Sequence, residues 1–171
     1  MDGIVPVRSA ARFSALGPMA LGQGALWVIS QDYDGQGNAL RGLVYRVDIK
    51  RRRVSGPPTP VGVEASGIAA GEGAVWVANA VSGTVSKIDP SSSRVVATIR
   101  IGDNADAMAV GEGSVWVATN HYPEGGHLFR IDPRTNDLVG KPLYLGQNPC
   151  GSFGLALGFG SVWVTSDGDG R

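Results

Sequence analysis

Both histidines of the chain fall in one eight-residue stretch, NHYPEGGH at 120–127, with Glu124 between them. His121, Glu124 and His127 are of the types that transfer protons or hold a cation, and within one loop they could converge. The plainer reading is a solvated loop with two exposed histidines. A second cluster is DYDGQGN at 32–38, echoed by DGDG at 167–170. Asp32 and Asp34, with glycine at a tight turn, could take a divalent cation such as Ca²⁺ on carboxylate and carbonyl oxygens. The match lacks the distal bidentate Glu of a full calcium loop, and Asp and Gly are also ordinary turn residues. A third is KRRR at 50–53; no other basic cluster supports it as an anion site, which favours a solvated hairpin tip. Cys150, in QNPCGSF, has no adjacent base and reads as a small inert residue rather than a nucleophile.

The elements that must position these residues are written four times. GQGALWV begins at Gly22, GEGAVWV at Gly71, GEGSVWV at Gly111 and GFGSVWV at Gly158. Each reads as a tight hairpin leading into a strand, Gly-x-Gly supplying residues that reach positive φ at low cost. Trp27, Trp76, Trp116 and Trp163 take the same place in every copy. A Trp buries about 150–250 Å², which at about 25 cal/mol/Å² is an upper-bound gain of roughly 4–6 kcal/mol per ring. Matched rings of that size predict a core layer between stacked sheets rather than a ligand-stacking surface.

Between the tryptophans lies a second marker: YRVDIK with Asp48, SKIDPSSS with Asp89 and FRIDPRTN with Asp132. Each starts as a strand and ends in a turn, and Asp followed by Pro90 or Pro133 suits the first two positions of a type I turn. These aspartates therefore read as turn formers rather than acid–base groups. From Asp to the following Trp the separations are 28, 27 and 31 residues, whereas from Trp to the next Asp they are 21, 13 and 16. Length variation is thus concentrated in the connection just after the Trp strand, and repeat architectures place such variation on one face. Each period accommodates four strands, a to d, with Trp on b and Asp at the end of c. Four antiparallel strands in a repeat of this length describe one blade of a β-propeller.

The expected fold is therefore all-β, a single propeller segment spanning residues 1–171 with blades centred on the four tryptophans. Residues 4–13 read as a strand d, followed by three full repeats and a final a–b pair, close to four blades. The b–c loops, at 30–42, 79–83, 120–127 and 166–171, and the d–a loops share the face at the channel mouth. Tyr33, His121 and Tyr122 are its contact aromatics, and Asn79, Asn104 and Asn120 its hydrogen-bonding groups.

Composition narrows the partners. The 171 residues include 26 glycines, about twice the usual share, as many short strands and tight turns require. Fifteen Lys and Arg balance fifteen Asp and Glu, so no global field recruits nucleic acid. No run of 18 apolar residues offers a membrane span. The N-terminal stretch, interrupted by Pro6, Arg8, Arg12 and Pro18, does not read as a secretory signal. The compartment is not legible.

VWVAN at 75–79 followed by GTVSKIDPSSSRVVATIRIG at 83–102 resembles the repeat of bacterial propellers of the YVTN type and of the virginiamycin B lyase-like (streptogramin lyase-like) group. The resemblance covers about residues 16–171 and implies the fold; blades of this kind serve enzymes, sensors and adhesive modules alike. The leading expectation is a non-catalytic module, a segment of a larger bacterial protein, that binds a small molecule or a protein on the loop face without a cofactor. The lyase group implies an alternative: a metal-dependent carbon–oxygen lyase with His121 or His127 as general base and Glu124 holding Mg²⁺, which stabilises enolate-like charge. A third reading is a structural or oligomerisation scaffold, in which two copies form a homodimer that completes a propeller ring.

Overall fold

The computed structural model describes residues 14–102, 104–120, 124–146 and 154–165. The described residues form four antiparallel sheets and no helix. The first contains β1 (Ser14–Gly22), β2 (Ala25–Tyr33), β3 (Ala39–Asp48), β4 (Arg53–Val54) and β5 (Thr59–Pro60), the last two both pairing with β3. The second is β6 (Ala65–Gly71), β7 (Ala74–Asn79), β8 (Thr84–Asp89) and β9 (Arg94–Arg100), paired in chain order. The third is β10 (Ala105–Gly111), β11 (Ser114–Thr119), β12 (Gly126–Ile131) and β13 (Leu143–Gly146), and the fourth the pair β14 (Gly154–Gly158) and β15 (Ser161–Thr165). The first strands β1, β6, β10 and β14 each touch the next one along, the arrangement of blades set around an axis. The predicted propeller blades are present, with strands a, b and c where the repeat places them; the strand expected at 4–13 lies outside the described residues.

The outermost strand is the variable one. It is continuous in β9, but Pro57 and Pro58 divide it into β4 and β5 in the first sheet, since proline brings no N–H to the ladder. In the third sheet it is reduced to a single bridge, Ile131 to Leu138, and then β13.

The Gly-x-Gly turns work differently from the simple expectation. The residues at positive φ are the second and third: Gln23 and Gly24, Glu72 and Gly73, Glu112 and Gly113, Phe159 and Gly160. Positive φ at both central residues is the two-residue turn that matches strand twist. The first glycine answers to the neighbouring sheet instead. A Cβ on Gly22 would come within 2.7 Å of the Ala70 Cβ, on Gly71 within 2.8 Å of Val110 Cγ1, and on Gly111 within 3.2 Å of Leu157 Cδ1. Each of these neighbours directly precedes the corresponding turn in the next sheet, so the absent side chain lets the sheets close up.

Between the first and second sheets lie Trp27, Ile29, Val44, Ile68, Val75, Val77 and Ile88. Between the second and third lie Trp76, Val85, Ile99, Val115, Val117 and Ile131, and between the third and fourth Ala118, Leu128, Trp116, Leu155, Val162 and Val164. Each of these three tryptophans points at the sheet that follows it. Trp27 and Trp76 are wholly buried, as predicted for a core layer, and Trp116 is partly so. Trp163 departs from that prediction and is 56% exposed, because among the described residues no fifth sheet lies on its face. No helix of the described chain is long and apolar enough to cross a membrane.

Candidate functional site

The b–c and d–a loops do share a face, and backbone hydrogen bonds tie them at matched positions. Ala80 donates its N–H to the Glu64 carbonyl at 2.8 Å, and Asn120 donates to the Asn104 carbonyl at 3.0 Å. Beside them the first strands bulge at the same place: the β6–β7 register skips Ser66, and the β10–β11 register skips Asp106. Bulges re-aim side chains and are frequent beside binding sites. Ser66 donates its hydroxyl to the Ala105 carbonyl of the next sheet at 2.7 Å, which joins the two bulged strands.

Beneath this face runs a buried polar row. Ser30, Asn79 and Thr119, each three residues after its Trp, are all buried. Asn79 lies inside the sheet rather than on the surface. Its Nδ2 donates to Thr84 Oγ1 at 3.1 Å and Ser86 Oγ at 3.0 Å, and so clamps the 80–83 loop, while its Oδ1 has no partner among the described residues. Thr119 Oγ1 accepts the His127 N–H at 3.2 Å.

Of the sequence-predicted contact residues, Asn104 is exposed and Asn120 partly buried, joined through the backbone bond above. Tyr33 is partly buried at the end of β2, where it pairs with Ala39. The stretch 30–42, expected as a loop, is mostly an extension of the β2–β3 hairpin, and only 34–38 turns. Asp34 makes that turn: its carboxylate accepts the N–H groups of Gln36 and Asn38 and the Asn38 side-chain amide, each at 2.8 Å. Those donors, Asn38 foremost, hold its carboxyl below the usual carboxylate range. Asp32 sits in β2, opposite Ser14. His127 is on strand β12 rather than in the loop, its ring edge-on to Tyr144 with centroids 5.6 Å apart, and Glu124 is exposed two residues before that strand. His121, Tyr122, Cys150 and the 167–170 stretch lie outside the described residues. Among the described residues no three His, Cys, Asp or Glu side chains gather where they could hold a metal.

On the opposite face the Asp markers close their turns as predicted. Asp48 accepts the N–H groups of Lys50 and Arg51, Asp89 that of Ser91, and Asp132 that of Arg134. These bonds favour the ionised carboxylates; Asp89, which also accepts the Ser91 and Ser92 hydroxyls, is lowered to about 2. Two residues before each Asp stands a cation that the reading of strand alternation passed over. Arg46, Lys87 and Arg130 lie directly across from Trp27, Trp76 and Trp116, with the charge 5.7, 5.1 and 5.4 Å from the ring centroid. At such distances the ring face attracts a cation. The signal was present as the cation-x-Asp in YRVD, SKID and FRID.

Antiparallel sheets paired strand to strand around an axis, two of them four-stranded, with loops tied on one face, define a β-propeller module. Solved structures agree on the fold. The chain is similar to hydrazine synthase of Kuenenia stuttgartiensis (TM-score 0.62, 19% identity, over 75% of this chain and 35% of that one). It is likewise similar to a luciferin-regenerating enzyme (0.64, 16%, over 90% and 54%) and to glutaminyl cyclase of Myxococcus xanthus (0.58, 14%, over 90% and 68%). At these identities the likeness is one of fold, and the chain spans about a third and about half of the length of the first two. No protein-family model matches the chain, and its sequence matches no curated protein.

Proposed function

We propose that this β-propeller module binds a small molecule or a protein on its b–c and d–a loop face and does no chemistry there. The observation that carries the reading is the repeated tie between the loops: Ala80 to Glu64 and Asn120 to Asn104, each next to a bulge in the first strand. A face fixed by backbone bonds loses little conformational entropy when a partner docks, and its exposed groups differ from sheet to sheet. Glu64 and Asn104 stand exposed on it, with Tyr33 at the end of the longest hairpin as the aromatic contact.

Ligands found by thermal-shift screening of a metabolite library test this reading. Their affinity is expected to fall several-fold in Tyr33→Ala and Asn104→Ala, with no change in EDTA or in His127→Ala. Ligands that are turned over, and whose turnover EDTA and His127→Ala both abolish, would replace the binding module with the lyase-like reading.

A further inference from the structure

Of the three cations set over tryptophans, two are spent within the fold. Lys87 Nζ crosses to the third sheet, where it donates to the Pro133 carbonyl at 2.6 Å and to Asn136 Oδ1 at 3.0 Å. Arg130 Nε donates to Ser114 Oγ at 2.9 Å. Arg46 differs. Its partly buried guanidinium rests over Trp27 but donates no hydrogen bond to any described residue. The outer strand beside it is the split one, β4 and β5. Asn136, which receives Lys87, is four residues after Asp132; the matching residue of the second sheet is Ser93, four after Asp89. The Ser93 carbonyl accepts the Thr59 hydroxyl at 2.6 Å, and the Ser55–Pro60 segment lies along one cleft with Arg46 and with Ser92–Val95 of that turn and strand.

Two clefts lie here, of about 840 and 580 Å³, and Arg46 and Ser55 line both. Their sizes fall within the roughly 300–1,000 Å³ of small-molecule sites. Four cations, Arg46, Lys50, Arg51 and Arg94, line the pair against one carboxylate, Asp48, which is already bound by Arg51 at 2.8 Å. The remaining walls are apolar, with Leu21 and Ile49 on one side and Pro57 and Pro58 on the other. A guanidinium is a planar fork that matches a carboxylate or phosphate with two parallel hydrogen bonds, and this one is held over a buried ring.

We propose that this groove, on the face opposite the b–c loops, binds a small organic anion: a carboxylate or phosphate on an apolar body, with the anionic end on Arg46 and the body along Pro57 and Pro58. It is independent of the loop-face site.

Phenyl phosphate and benzoate, titrated at constant ionic strength, are suitable probes. The readouts are the NMR resonances of Arg46 Nε–H and of the Trp27 indole N–H, which bonds to the Gly22 carbonyl at the cleft wall. Saturable shifts are expected with at least one probe. Arg46→Met should weaken binding by about tenfold or more, and Arg46→Lys, which keeps a cation over the ring and so protects the fold, should weaken it measurably by loss of the fork. Arg130→Met is expected to bind as the wild type does. Shifts that never saturate, or that saturate equally in Arg46→Met and Arg46→Lys, would overturn the site.

Discussion

Trp76 and Trp163 occupy the same position in the same phrase, and locally they are indistinguishable. Each indole donates to the carbonyl of the first turn glycine, Gly71 or Gly158, at 3.2 Å. Each follows a turn whose second and third residues have positive φ. Yet Trp76 is wholly buried and Trp163 is 56% exposed. The phrase thus specifies the turn, the strand and the direction of the ring, whereas the burial is contributed by the following sheet. Nearest-neighbour stability of this sort is what a stacked repeat produces.

The largest test of that contrast is truncation. Trp76→Ala removes a filled core volume and should cost about 3–5 kcal/mol, while Trp163→Ala should cost well under half as much; urea denaturation of both variants compares them directly. Equal losses would mean that the two rings are equally packed in solution. A smaller effect is expected at the turn glycines. A Cβ on Gly71 meets Val110 Cγ1 at 2.8 Å, whereas on Gly158 it meets nothing within 4 Å. Gly71→Ala should therefore destabilise by about 1–3 kcal/mol through overpacking, and Gly158→Ala should stay within about 0.5 kcal/mol of the parent, both read from thermal melts.

The smallest effect isolates the local half of the repeat, which needs no neighbouring sheet. Asp89 is ionised down to about 2 because Ser91 and Ser92 donate to it. A carboxylate lowered on folding contributes stability that is complete above its unfolded pKa, near 3.9. That contribution is lost as pH falls from there through the folded value. Asp89→Asn should lower stability slightly across the neutral range, where the contribution is complete, and flatten the acid limb below about pH 4, so that variant and parent converge as pH falls towards about 2. An acid limb identical to the parent's would show that the turn bonds are not formed in solution.

Much of the fold was legible because its determinants are local. The β-prone Trp runs, the two-residue turns and the Asp caps are settled within a few residues of each other; the strands and caps are found as read, and the turns are present with positive φ on their second and third residues. What the sequence did not disclose depends on partners far along the chain. Gly22 is small because of Ala70, and no reading of GQG alone reveals that. Asn79, read as a surface group, is inside because Thr84 and Ser86 across the hairpin use its amide. His127 falls on a strand because β12 begins at Gly126 and so takes the last two residues of the 120–127 stretch read as a loop, and the cross-strand pairing with Thr119 that places it there is not visible locally. The 30–42 stretch looked like a loop because its Asp and Gly residues are turn formers, but only Asp34 makes the turn and the flanks pair. The cation beside each Trp was visible in cation-x-Asp; recognising its purpose required the cross-strand register.

The fit of Ala70, Val110 and Leu157 against the glycines of the preceding sheets also has an engineering meaning. The unit that can be moved in this chain is not the sheet but the joint. A repeat transplanted to another place would bring its own turn glycine and its own residue before it, yet each must match a counterpart already in place. Lengthening or reordering such a protein therefore means carrying the two halves of a joint together, as a carpenter cuts tenon and mortise to one measure.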